Sequence, residues 1–216
     1  MERKYIYMFN VSLVSTNTDD PIRLITDIAS VCYDSQPKDP EKFIKHLYMS
    51  GHLSAFEFVD YTFKLEHISR AAANQMVRHR ECSFMQRSQR HCDESGFGYV
   101  LPDEINWIQK FELCSAMDEI QRCYKRLVDL GMKVEDARSV LPNACQTILF
   151  VKCNLRELIH IANERLCMRA QREIRDIVSA MCNLVHQSVK FALVPKCESG
   201  ILICNTPCFK KGQNVE

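Results

Sequence analysis

Apolar and polar positions sort the chain into alternating and helical stretches. Residues 5–14 (YIYMFNVSLV) are rich in β-branched and aromatic side chains and predict a first strand. Asp20-Pro21 sets an N-cap before a proline at the first helical position, which predicts a helix to about Cys32. Asp39-Pro40 repeats that signal, and Gly51 suits the stop of a second helix. Residues 56–67 (FEFVDYTFKLEH) alternate, the period of a half-buried strand. Residues 69–80 are helical by composition, and the polar stretch from there to Tyr99 has little period. Residues 103–130 read as mainly helical, ended by Gly131. Leu141-Pro142 breaks the chain, residues 147–152 (TILFVK) suggest a short strand, and Asn154 caps a helix through Arg165. Ile174, Ile177, Val178, Met181, Leu184, Val185 and Ser188 share one face at a 3.6 period, a last long helix that stops near Pro195. The tail to Glu216 reads as loosely ordered. With no repeat and no linker long enough to separate a pair of domains, the pattern predicts an α+β fold. Its single domain has a central, mainly antiparallel sheet flanked by long helices, with residues 1–195 as its body and residues 196–216 as a cysteine-containing tail.

Composition narrows the classes. Apolar residues make up 46% and charged residues 25% of 216, the balance of an ordinary globular chain, and the formal net charge of +1 gives no global pull toward nucleic acid or an anionic membrane. Six glycines cannot be assembled into G-x-G-x-x-G or a Walker loop, so any nucleotide must be held mostly by side chains. Twelve cysteines fall below the ~8–10% of a disulfide scaffold. The first residues lack the apolar core of a signal peptide, and no run approaches a membrane span. A cytoplasmic protein with reduced thiols is the expectation.

One segment departs from this balance. Residues 70–91 (RAAANQMVRHRECSFMQRSQRH) hold five arginines and two histidines against a single acid, Glu81, and no lysine. Arginine at every basic position favours planar, bidentate recognition of phosphate or carboxylate. Gln75, Gln86, Ser88 and Gln89 add neutral donors and acceptors. On composition alone the cluster reads equally well as a solvated charged face. A nucleic-acid-binding module is a weaker reading, because only Phe84 is available for base stacking.

The order of the residues separates these readings. Arg78-His79-Arg80, seven residues, then Ser88 is the pattern R-H-R-(x)7-S, which resembles the signature of flavin-dependent thymidylate synthases. Gly51-His52-Leu53-Ser54-Ala55-Phe56-Glu57 is similar to the family's G-H-x-[ST]-x-F-E element. Asn163-Glu164-Arg165 followed by Arg169-Ala170-Gln171-Arg172-Glu173-Ile174-Arg175 resembles N-x-R…R-A-Q-x-E-I-R. Leu141-Pro142 and Asn154-x-Arg156-Glu157-Leu158 fit its intervening L-P and N-x-R-E-L.

The resemblance implies methylation of dUMP at C5 to dTMP. Reduced FAD would be the reductant, NADPH would recharge it, and methylenetetrahydrofolate would give the carbon. It also implies a homotetramer with active sites shared between subunits, and binding of neither nucleic acid nor membrane. Arg78, His79, Arg80, Asn163 and Arg165 are implied FAD contacts, with Ser54 and Glu57 beside them. Gln75, Arg78, Gln86, Arg87, Ser88, Arg90 and Arg175 are implied contacts of dUMP. Arg175 would stabilise charge on the uracil, His52 would lie against the flavin and position the folate, and Ser88 would be a ligand contact and not a nucleophile. Cysteine-dependent synthases add a thiolate to C6, but their Pro-Cys-His is absent, since Pro207-Cys208 precedes Phe209.

Several positions depart from the family pattern: His91 for a customary tyrosine, Met85 for a polar residue, Arg87 for a small or apolar one, Glu164 for leucine, and Ile148 for a polar or basic residue. They touch the nucleotide pocket, so modification of another pyrimidine nucleotide, such as hydroxymethylation, is the alternative. Cys197, Cys204 and Cys208 could seed a structural zinc site, though three ligands at irregular spacing leave it incomplete and plain thiols suffice. No metal is expected.

Overall fold

A computed structural model describes residues 5–6, 9–32 and 34–207. In chain order the elements are β1 (Tyr5–Ile6), β2 (Asn10–Thr16), α1 (Pro21–Ser30), α2 (Pro40–Met49), β3 (Asp60–Ser69), α3 (Arg70–Met76) and β4 (Ser83–Gln86). They continue with β5 (Tyr99–Val100), α4 (Trp107–Asp129), α5 (Val134–Ala137), β6 (Gln146–Asn154), α6 (Leu155–Arg165) and α7 (Arg172–Leu184). The fold is α+β. An antiparallel four-stranded sheet runs in the order β2-β3-β6-β4, and β1 pairs in parallel with β5, Tyr5 opposite Tyr99.

Local chemistry explains the element ends. Asp20 and Asp39 accept from the backbone N–H of Arg23 and Lys42, capping α1 and α2 ahead of their first-turn prolines. Gly51 takes φ +74°, the left-handed stop that lets His52 N–H reach back to Leu47 O at 2.9 Å. Asn106 and Gln109 form a reciprocal capping box at the start of α4. Asn154 accepts from Glu157 N–H, which turns the chain from β6 directly into α6.

The chain divides into two compact units, and β3 and β6 each contribute to both. The first comprises Met1–Asn10, Lys64–Arg78 and Phe84–Phe150. Its buried cluster joins Phe97, Tyr99, Leu101 and Cys145 to Cys114 and Met117 of α4. The second comprises Val11–Phe63, His79–Ser83 and Val151–Glu216. There Ile174, Ile177, Val178 and Met181 make the fully buried face of α7, each side chain worth about 1.5–3 kcal/mol of apolar burial. On α6, Leu155, Leu158, Ile161 and Ala162 are equally buried.

Five expectations need correction. The strand expected over residues 5–14 is two short strands in different sheets. The strand expected from Phe56 begins at Asp60, because Ser54–Phe58 closes as a 3-10 turn with Phe56 N–H on Leu53 O. A short buried turn and a strand end give the same apolar alternation. The stretch read as lacking period contains β4, whose four residues are too few to carry one. The last helix stops at Leu184, where Val185 becomes extended, and Ser188 belongs to a separate 3-10 turn, Gln187–Ala192. The tail also carries order. Lys196 N–H donates to Asn163 O at 3.0 Å, and Ser199 is buried.

Candidate active site

Within the second unit, α6 builds a polar wall. Glu157, His160 and Asn163 follow one another at i, i+3 and i+6, so they share one face. They line a cavity of about 540 Å³ together with Glu57 of the 3-10 turn, Glu81 and Arg156. Arg156 forms an ion pair with Glu57. Asn163 is buried, and its Oδ1 has no partner. An orphaned buried acceptor costs free energy and so marks a place where a ligand donor fits. Ile201 and Leu202 of the tail complete the lining.

His79 stands behind this wall, 5% exposed, between two flanking arginines that are both exposed. Arg165, from the last turn of α6, donates through Nε to His79 Nε2 at 3.0 Å. His79 Nδ1 faces Glu157 Oε1 at 3.5 Å, and the His160 ring meets the His79 ring edge to face at 5.6 Å. His79, Glu157 and His160 offer donor atoms within 4.8 Å of one another, the one such trio of metal-ligating side chains among the described residues. A ligand role for His79 is disfavoured by chemistry: a guanidinium already donates into one ring nitrogen, and that cation would face the ion across the ring. The mixture of guanidiniums, carboxylates and an orphaned amide oxygen instead suits a cofactor that carries phosphates, hydroxyls and ring N–H groups. Of the tail cysteines, Cys197 and Cys204 are free thiols, and Cys208 lies outside the described residues.

Within the first unit, the part of the arginine segment from Phe84 onward is tied down at Arg87. Arg87 N–H donates to Ile148 O at 3.0 Å, which pairs the end of β4 with β6, and Arg70 Nη2 donates to Arg87 O at 2.9 Å. Arg87 Nε meets the buried Glu94 at 3.1 Å, and Arg90 Nε meets Glu135 at 2.8 Å. Glu94 raises the proton affinity of the Arg87 guanidinium, while burial lowers that of Arg70. Ser88 Oγ accepts from Arg90 N–H at 3.2 Å, a turn contact that leaves its hydroxyl proton free to donate. A cavity of about 280 Å³ opens here, lined by His67, Arg87, Glu94, Gln146, Thr147 and Ile148. Gln86 Nε2, Gln146 Nε2 and Thr147 Oγ1 are buried without partners. His67 sits at φ +59° and its Nδ1 lies 3.3 Å from Gln146 Oε1. Strained backbone and orphaned polar atoms at one place are the mark of a binding surface.

The candidate residues thus gather in two places. Glu57, His79, Asn163 and Arg165 come together in the second unit, where Ser54 and Arg80 are exposed on the same two segments. Gln86, Arg87, Ser88 and Arg90 are contiguous in the first, after Gln75 and Arg78 at the end of α3. His52 is exposed just beyond Gly51. Arg175 lies in the second unit, with Nη1 on Met168 O at 3.1 Å. Glu157, His160, Glu94, His67 and Gln146 were not anticipated as site residues. The three-residue spacing Glu157, His160, Asn163 carried a signal; Glu94 carried none because Arg87 lies seven residues away in a stretch without period, and Gln146 none because His67 is 79 residues away. Burial pushes the Cys145 thiol up to about 11 and Cys182 to about 12, so neither is a nucleophile near neutrality.

The chain is similar to known proteins over most of its length. The family model described as thymidylate synthase complementing protein matches residues 12–189. The flavin-dependent thymidylate synthase of Geobacter sulfurreducens is 40% identical over 185 residues, which cover 78% of this chain and 79% of that protein. That of Clostridium tetani is 31% identical over 223 residues, covering 87% and 90%. A Streptomyces cacaoi UMP/dUMP methylase bound with 5-Br dUMP superposes with TM-score 0.77 at 22% identity, covering 88% of this chain and 96% of that one. Helicobacter pylori thymidylate synthase X with FAD and dUMP gives TM-score 0.72 at 18% identity, covering 86% and 97%. At those identities the two structures speak for the fold.

Proposed function

Because the chain belongs to the flavin-dependent thymidylate synthase family, we propose that it converts dUMP to dTMP with methylenetetrahydrofolate, FAD and NADPH. The observation that carries this reading is a cavity lined by Glu57 and by Asn163, whose Oδ1 is buried and unpartnered, with His79 and Arg165 joined to its wall through Glu157. FAD, when bound and reduced by NADPH, supplies the reducing equivalents that turn the transferred carbon into a methyl group. The protein supplies placement and electrostatics.

Arg78, Arg80 and Arg165 hold the cofactor's phosphates, with the Glu57 carboxylate and Asn163 Oδ1 accepting from its hydroxyl or N–H groups. Ser54 contacts it from the same turn as Glu57, and His52 sets the folate against it. Gln75, Gln86, Arg87, Ser88 and Arg90 grip the nucleotide, the guanidiniums taking its phosphate and the neutral side chains its ribose and base. Arg175 faces the uracil carbonyl oxygens and stabilises the negative charge that builds there as C5 becomes nucleophilic, which is preorganised electrostatic catalysis. Arg175 lies in the second unit and Gln86, Arg87, Ser88 and Arg90 lie in the first, and a homotetramer with shared sites would complete each centre. We place the enzyme in the cytoplasm, where the eleven described cysteines, all free, stay reduced.

The test is dTMP formation followed by chromatography, each of dUMP, FAD, NADPH and methylenetetrahydrofolate being omitted in turn. Product is expected only with all four. Product without FAD, or none with all four present on well-folded protein, would overturn the reading.

A further inference from the structure

His79 receives both ends of one helix. Glu157 lies in the first turn of α6 and Arg165 in its last, eight residues and about 12 Å of helix rise apart. The two side chains reach back toward each other and meet the same buried imidazole on opposite nitrogens. Arginine is always protonated and can only donate. Its Nε–H points at His79 Nε2, so that nitrogen must be the acceptor, and the ring proton belongs on Nδ1. Nδ1 faces the Glu157 carboxylate, which can only accept when ionised. Glu157 is 7% exposed. It is also the residue whose backbone N–H is capped by Asn154, where the helix dipole favours a negative charge.

We infer that Glu157 is a positioning residue. It fixes the Nδ1-protonated tautomer of His79, and His79 in turn presents Nε2 to hold the Arg165 guanidinium in place. The chain runs from carboxylate to imidazole across a 3.5 Å approach and from imidazole to guanidinium by a 3.0 Å hydrogen bond. Arg165 favours the same form by donating into Nε2, and Glu157 holds the proton on Nδ1 because its ionised carboxylate can only accept. Without it, both tautomers of a neutral imidazole are open, and the Nε2-protonated form turns an N–H toward Arg165, where two donors would face each other. The Arg165 Nε contact to His79 would then be lost, and with it that part of the guanidinium's preorganised orientation. The consequence for cofactor affinity rests on the FAD reading above; the tautomer does not.

The test uses histidine-¹⁵N-labelled full-length protein without flavin, at a pH that keeps free imidazole neutral. Long-range ¹H–¹⁵N spectra then report which nitrogen carries the proton, with His79 assigned by its loss in His79→Gln. Wild type is expected to show Nδ1 protonated. Glu157→Gln, whose amide can either donate or accept, is expected to populate the other tautomer, and Glu157→Asp to restore the wild-type pattern. By quenching of flavin fluorescence, Glu157→Gln should bind FAD about tenfold more weakly, the loss of one hydrogen bond to a charged group, and Glu157→Asp should recover most of it. An Nε2-protonated wild type, or an unchanged tautomer in Glu157→Gln, overturns the inference. So does a shifted tautomer with unchanged FAD affinity.

Should Glu157→Gln not fold, Arg165→Met, which removes the donor facing Nε2, decides the same point. His79 stays Nδ1-protonated there if Glu157 sets the tautomer, and a switch to Nε2 assigns control to Arg165 and overturns the claim. A wild-type protein that does not bind FAD contradicts the functional reading, while the spectra still decide the relay.

Discussion

Replacing Glu94 by glutamine probes how the arginine segment is held. The side chain is 7% exposed, and its Oε1 receives Arg87 Nε at 3.1 Å. The half-buried guanidinium of Arg70 is a further positive neighbour. Glutamine keeps the shape, so no cavity opens; what is lost is the charge. A hydrogen bond to a charged group contributes about 1.5–3 kcal/mol. Arg87 is 41% exposed, and solvent screening on that side holds the expected cost to the lower end, about 1.5–2 kcal/mol. For a chain of this size that lowers Tm by roughly 3–8 °C. Urea titration of wild type, Glu94→Gln, Arg87→Gln and the double variant isolates the pair, with an expected coupling of about 1 kcal/mol. A single-variant cost below about 0.5 kcal/mol, or no coupling, would refute the claim that this buried carboxylate anchors the loop.

Other expectations concern different regions of the molecule. Gly98→Ala would put a methyl 2.5 Å from Gln146 Oε1, displacing the amide that bonds His67 and costing about 1–2 kcal/mol; an unchanged urea midpoint would contradict it. Arg175→Ala should keep flavin but lose about 10²-fold or more in kcat, whereas Arg78→Ala should lose flavin, read from the visible absorbance of purified protein. Cys145 and Cys182 keep their protons to about 11 and about 12 when folded, against 9.0 without burial. Their contribution is therefore complete below pH 9 and is lost as pH rises through that window, because the unfolded thiols ionise first. Each costs about 1.4 kcal/mol per pH unit there, and Cys182→Ala should flatten the measured slope.

What the sequence disclosed follows the range of the forces involved. Caps and stops are local, and Asp20, Asp39, Gly51, Gly131 and Asn154 marked their element ends within a residue or two. The buried face of α7 was legible because its period repeats over three turns. β4 was hidden because its pairing with β6 is held by Arg87 and Ile148, far apart in the chain. The family string located His79, Asn163 and Arg165. It did not disclose Glu157 as their partner, since only the folded helix brings both of its ends to one imidazole. Glu94 was hidden for the same reason: an acid in a polar stretch looks solvated until Arg87 and Tyr124 are seen around it.

The central claim is chemistry at C5 of dUMP, and tritium release from C5-tritiated dUMP reads that carbon directly. With FAD, NADPH and methylenetetrahydrofolate present, the account predicts release matched by dTMP formation, both lowered about 10²-fold or more in Arg175→Ala. Flavin-loaded protein that releases no tritium from dUMP would contradict it.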